Sequence, residues 1–107
     1  MIETKEYRLR PIEELDPFKD KEKLYSWFMQ LNNKRELNAI RLEHEGNLRL
    51  ISQEKNSDIY LTALGTVIEI KRNVELKLYG KKANLEETES FLEKLIEGTN
   101  TQVMEAI

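Results

Sequence analysis

The chain has no cysteine and a single histidine, His44, among its 107 residues. Missing thiols exclude disulfides, cysteine nucleophiles and thiolate metal sites together. A zinc site would need Asp or Glu for most of its ligands, an uncommon donor set. Glycine and proline are also scarce, at 4 and 2. The glycines stand apart at positions 46, 65, 80 and 98, so no GxGxxG or Walker loop cradles a phosphate, and HExxH is missing as well. No apolar run approaches the ~20 residues that a membrane-spanning helix needs. The opening stretch MIETKEYRLR lacks the apolar core of a secretion signal. These absences lead us to expect a cytoplasmic protein with no cofactor, no metal, no membrane attachment and no small-molecule substrate.

What is present is enough for one hydrophobic core. Apolar residues make up 39% and charged residues 35%, the balance of a globular domain with a charge-rich surface. The length suits a single α+β domain over 1–98, followed by a flexible tail over 99–107. The net charge of −3 is uneven. Residues 37–82 carry eight basic and six acidic side chains, whereas residues 83–107 carry one and six. A typical nucleic-acid-binding domain is more basic than this.

Two stretches follow the helical period. In DPFKDKEKLYSWFMQLNNKR, Asp16 suits an N-cap and Pro17 the first helical position. Leu24, Trp27, Phe28 and Leu31 form an i, i+3, i+4, i+7 stripe, and Asn32-Asn33 is a plausible stop, which predicts a helix over about 17–32. In ANLEETESFLEKLIEG, Asn84 and Glu87 form a capping-box-like start and Gly98 a natural C′ residue, which predicts a helix over about 85–97.

Between them the period changes to 2. VELKLYG and TVIEIK alternate apolar with charged residues across the short link Arg72-Asn73, which predicts a hairpin. DIYLTAL is a third strand, joined through Gly65. ETKEYRLR, ended by Pro11, reads as an edge strand or an ordered arm. The stretch IRLEHEGNLRLIS, residues 40–52, admits two readings. As a hairpin turning at residues 44–47, Ile40 and Leu42 align with Leu48 and Leu50, and both arms alternate. As a strand followed by a helix capped by Asn47, only Leu48 and Ile51 keep helical spacing. The hairpin fits better. It predicts a two-layer α+β sandwich, with an N-terminal and a C-terminal helix on one face of an antiparallel meander of about five strands.

Under the second reading, GNLRLISQEKNSDIYL and VELKLYGKKANLEETESFLEKLI resemble the small KH-like module that precedes the ATPase domain of PhoH-type proteins. The resemblance covers about half the chain and implies RNA binding. The chain has no GxxG loop, the element with which KH domains clamp a nucleic-acid backbone.

Catalytic constellations are missing from the sequence. His44 lies between Glu43 and Glu45 and reads as an exposed turn residue. The carboxylate pairs Glu13-Glu14 and Glu86-Glu87 read as solvated faces. A basic group offers more: Lys71, Arg72, Lys77, Lys81 and Lys82, with Arg41 and Arg49 on the same sheet face and Tyr60 and Tyr79 for base stacking, as on sheets that bind single strands. The same lysines also serve simply to keep a sheet soluble. Trp27 suits the core, or, with Tyr25 and Met29, an interface anchor. The leading expectation is a non-enzymatic binding module, an adaptor that contacts a protein partner or a second copy of itself. The alternative is an RNA- or single-strand-binding domain.

Overall fold

Among the described residues, eight segments take up regular structure, two with the helical period and six with the period of strands. A computed structural model describes residues 1–106. The order is β1 (Glu3–Pro11), α1 (Lys21–His44), β2 (Leu48–Glu54), β3 (Ser57–Thr62), β4 (Val67–Lys71), β5 (Glu75–Gly80), α2 (Lys82–Leu95) and β6 (Thr101–Glu105). The strands form one sheet, ordered β2-β3-β4-β5-β1-β6, in which every neighbouring pair is antiparallel. The α+β class is as expected. The arrangement is not: neither helix is terminal, because β1 precedes α1 and β6 follows α2. β1 is an interior strand between β5 and β6 rather than an edge.

α1 is far longer than the predicted 17–32, and Ile40 and Leu42 lie in it rather than in a hairpin arm. Leu31, Arg35, Ala39 and Leu42 are buried at helical spacing and carry the stripe of Leu24, Trp27 and Phe28 past Asn32-Asn33. Six residues, IRLEHE, fit both periods. The tie is decided by Leu42, which is almost wholly buried in the core. The expected turn is instead a helix C-cap. The Asn47 N–H donates to the Leu42 carbonyl at 2.9 Å and the Gly46 N–H to the Glu43 carbonyl at 3.0 Å. That is the Schellman pattern, with Gly46 at φ +78 as its left-handed residue. Residues 48–54 are then β2, so the strand-then-helix reading is overturned as well.

The caps also shift. Asp16 holds a separate turn, its Oδ1 accepting from the N–H groups of Phe18 at 2.8 Å and Lys19 at 3.3 Å. α1 itself begins after Asp20. α2 starts at Lys82, so Asn84 is not its cap; its amide nitrogen donates to the Leu64 carbonyl at 3.5 Å.

The tail expected to be flexible is β6, paired along β1 from Pro11↔Thr101 to Tyr7↔Glu105. Thr101 is buried, and its Oγ1 accepts a 2.9 Å hydrogen bond from the Trp27 indole N–H. Trp27 thereby ties α1 to the last strand. Ile107, the last residue of that expected tail, lies outside the described residues.

Both helices are crossovers over one face. β1 and β2 run in the same direction with β5, β4 and β3 between them. α1 must therefore span four strand spacings, roughly 19 Å at ~4.8 Å each. Its 24 residues reach about 36 Å. α2 similarly links β5 to β6 across β1. Tyr7, Leu9, Leu48, Tyr60, Ile68, Ile70, Leu76 and Leu78 face the helices and form one cluster with Leu31, Leu42, Leu85, Leu92 and Leu95. A fully buried aliphatic side chain of this kind contributes about 1.5–3 kcal/mol.

Two polar features sit inside this layer. Arg35 is only 3% exposed. Its guanidinium donates to Asp58 Oδ2 at 3.3 Å, Asn73 Oδ1 at 2.9 Å and the Tyr60 hydroxyl at 3.5 Å. A hydroxyl chain joins Thr62, Thr66 and Thr88 at 2.5 and 2.7 Å and ends on the Asn84 carbonyl at 2.7 Å.

The predicted β4–β5 hairpin is present, with Arg72 at φ 53 and Asn73 at φ 65. Two positive φ values are those of a type I′ turn, which matches the twist of the strands. Asn tolerates that region and Arg does not. Arg72→Asn is accordingly expected to stabilise the fold by about 0.5 kcal/mol, read as a higher urea midpoint at unchanged m-value. A lower midpoint would mean that Arg72 makes a stabilising contact the substitution removes.

Candidate protein-binding surface

The sheet face opposite the helices is where a single strand of nucleic acid would lie. Register places three ranks of side chains on it. One holds Arg49, Leu61, Val67, Tyr79 and Thr4; the next Ser52, Ile59, Glu69, Lys77 and Glu6; the third Lys71, Glu75 and Arg8. Within the last two ranks, acid and base alternate from strand to strand. Arg8 meets Glu75 at 3.3 Å, Lys77 meets Glu6 at 3.5 Å and Lys71 meets Glu69 at 3.8 Å. Lys77 also lies 5.3 Å above the Tyr79 ring, and the Tyr79 hydroxyl donates to Glu69 at 3.3 Å. A shallow hollow of about 310 Å³ on this face is lined by both signs, Glu6, Arg8, Lys71, Glu75 and Lys77 among them.

The remaining members of the predicted basic group are scattered. Tyr60 is buried on the helix-covered face, where burial pushes its hydroxyl pKa up. Arg41 is on α1 and pairs with Glu97 at 3.0 Å. Arg49 stands on β2, the sheet edge. Arg72 and the pair Lys81-Lys82 flank opposite ends of β5, a strand of 6 residues that spans roughly 20 Å. His44 is the exposed last residue of α1. Among the described residues, no cluster of His, Asp or Glu is placed to hold a metal ion. None of their helices is long and apolar enough to cross a membrane.

Inside the helix layer another ionisable group is tied down. The Tyr7 hydroxyl donates to Glu89, which also meets Lys5 at 3.2 Å. The hydrogen bond from Tyr7 is the main cause that holds the Glu89 carboxyl below its usual range, while burial drives the Tyr7 hydroxyl well above its own. Both act as a clamp between β1 and α2.

The surface that stands out is apolar. α1 needs only one side to cover the sheet, and its opposite side carries Tyr25 and Leu37, each 66% exposed, Ile40 at 61% and Met29 at 40%. Tyr25, Met29, Asn33, Leu37 and Ile40 follow one another at steps of four, four, four and three. Residues at such steps are neighbours on a helix surface. Their exposed area is on the order of 500 Å², near the upper end of the largest patch on a typical monomer. At its N-terminal end the row runs into a mostly apolar groove of about 430 Å³, lined by Pro17, Lys21, Leu24, Tyr25, Trp27, Phe28 and Val74. At its C-terminal end α1 lies against β2, whose Leu50 and Ile51 are also exposed.

Comparison with protein-family models, curated proteins and solved structures gave no match. The surface must therefore be read from its own chemistry.

Of the three residues expected at an interface, Tyr25 and Met29 share this row. Trp27 does not: it is half-buried, packed on the core and bonded to Thr101. Leu37 and Ile40 were missed. Counting helical steps onward from Tyr25 would have found them, but only if the helix were known to pass Asn32-Asn33.

Proposed function

We propose that this chain is a non-catalytic protein-binding module that docks through the outer face of α1. One observation carries this reading: an exposed row on a long helix in which Tyr25, Met29, Leu37 and Ile40 leave large apolar side chains in solvent, interrupted only by Asn33. Amphipathic helix faces are a recurring mode of protein recognition. The nucleic-acid alternative has less support, since Tyr60 is buried and the sheet-face lysines are interleaved with glutamates.

Site-specific photo-crosslinking tests the proposal. A benzophenone side chain replaces Leu37 in one variant and Glu75, on the open sheet face, in another. Protein conjugates are expected from position 37 and few from position 75. Equal yields, or none from position 37, would remove the assignment. Labelled RNA titrated at two salt concentrations is expected to show no binding even at low salt, where phosphate contacts are strongest.

A further inference from the structure

We infer that the occupant of the α1 outer face is a second copy of this chain, with the two α1 helices side by side and parallel about a two-fold axis. The inference rests on the reading of α1 as the docking surface and adds the identity of its partner.

Position comes first. A seam through Met29, Asn33, Leu37 and Ile40, extended to Ser26 and His44 and with Tyr25 at its margin, lies about half a turn around the helix from buried Leu31, Arg35 and Leu42. The body of each copy therefore points away from the contact, and nothing stands between the two helices. Steps of three and four keep these residues on one side of the helix.

Composition narrows the occupant. Asn33 is exposed at the centre of the seam, with Met29 before it and Leu37 after it. An amide has both donors and acceptors, so two copies of Asn33 facing across an axis satisfy each other. An apolar partner would leave this amide unpaired at a cost. A single seam Asn of this kind is a known determinant of register.

Charge then fixes direction. One flank of the seam carries Glu36 and Glu43, and the other Lys34 and Arg41. A two-fold axis parallel to the helices brings unlike flanks together. Glu36 of each copy then stands on the side where Arg41 of the other lies, so unlike charges meet across the seam. An antiparallel pair would set Glu flank against Glu flank. Arg41 holds only an exposed contact with Glu97 in its own chain, and such a surface pair is weak enough to be shared. With its flanks, the row approaches the ~800 Å² per partner of a standard interface.

The absence of cysteine makes the test clean, because an introduced thiol can only find its own copy. Ser26 and Ile40 are two heptads apart on the seam. Purified Ser26→Cys and Ile40→Cys are each expected to form disulfide-linked dimers under mild oxidation. Sedimentation of the wild type is expected to show a dimer. Leu37→Arg, at a site too exposed to disturb the core, is expected to raise the dissociation constant at least tenfold with an unchanged circular dichroism spectrum. Cross-linking only when the two cysteine variants are mixed would mean an antiparallel pair and overturn the inference. A dimer insensitive to Leu37→Arg would place the contact elsewhere and also overturn it. A wild type that stays monomeric at several hundred micromolar overturns it too. In that last case, conjugates to other proteins from position 37 would leave the docking surface standing, whereas no conjugates at all would remove both.

Discussion

Arg35→Ala is expected to lower the unfolding free energy by about 3–5 kcal/mol. That is a large part of the ~5–15 kcal/mol that holds a domain together. The substitution removes the buried cation facing Asp58 at 3.3 Å, whose own side chain is mostly buried. It also strips a donor from Asn73, which sits in the left-handed region at the β4–β5 turn. One side chain of α1 thus holds β3 and the tip of a hairpin in register. The favourable contacts are partly offset, because the buried Arg35 Nε has no hydrogen-bond partner. Arg35→Met combined with Asp58→Asn is accordingly expected to recover more than half of the loss, since neither partner is then left as a bare buried charge. Urea denaturation of the two single variants and the pair measures the coupling. A loss below 1 kcal/mol for Arg35→Ala would show that desolvation already cancels the pair.

Gly80→Ala is expected to destabilise the fold by about 1–3 kcal/mol, the usual range for overpacking a filled site. A Cβ at Gly80 would stand 2.6 Å from Thr66 Cγ2. Thr66 has little room to retreat. Its carbonyl accepts from the Thr62 N–H at 2.9 Å, and its hydroxyl is the middle member of the chain from Thr62 to Thr88. Thr66→Ser deletes the offending methyl and keeps the hydroxyl. In that background the penalty of Gly80→Ala is expected to fall by at least half, with the remainder due to Thr66 Cβ at 3.2 Å. An equal penalty in both backgrounds would move the cause away from this contact. Both variants can be compared by thermal and urea unfolding.

How far the sequence revealed the molecule follows from how local each signal is. The β4–β5 hairpin was legible because Arg72-Asn73 and its alternating arms lie within a dozen residues. The C-terminal helix was legible for the same reason, although its start was placed late because Asn84 imitates a cap. Residues 40–45 were misread because a six-residue window fits two periods. Only the tertiary position of Leu42 under the core separates them. β6 was misread because its partner β1 lies more than ninety residues earlier, as in Arg8↔Met104. Five alternating residues, TQVME, carry little weight without that partner. Arg35 gave no signal at all, since nothing in the sequence says that a charged residue on a helix points inward. The exposed row was half legible. Tyr25 and Met29 were picked out by residue type, but Leu37 and Ile40 depended on the length of the helix.

The place of β1 in the sheet also sets an order of events. Its partners are β5, as in Glu3↔Gly80, and β6. The strand synthesised first is therefore the one that must wait for the last. Strands β2 to β5 can zip as successive hairpins, each closing a short loop, whereas β1 needs the closure of far longer ones, as between Arg8 and Glu75. Pairings so distant slow folding. Until they close, the unpaired flank of β5 is an open strand edge, and the β2–β5 meander is the form in which this chain is most exposed to aggregation.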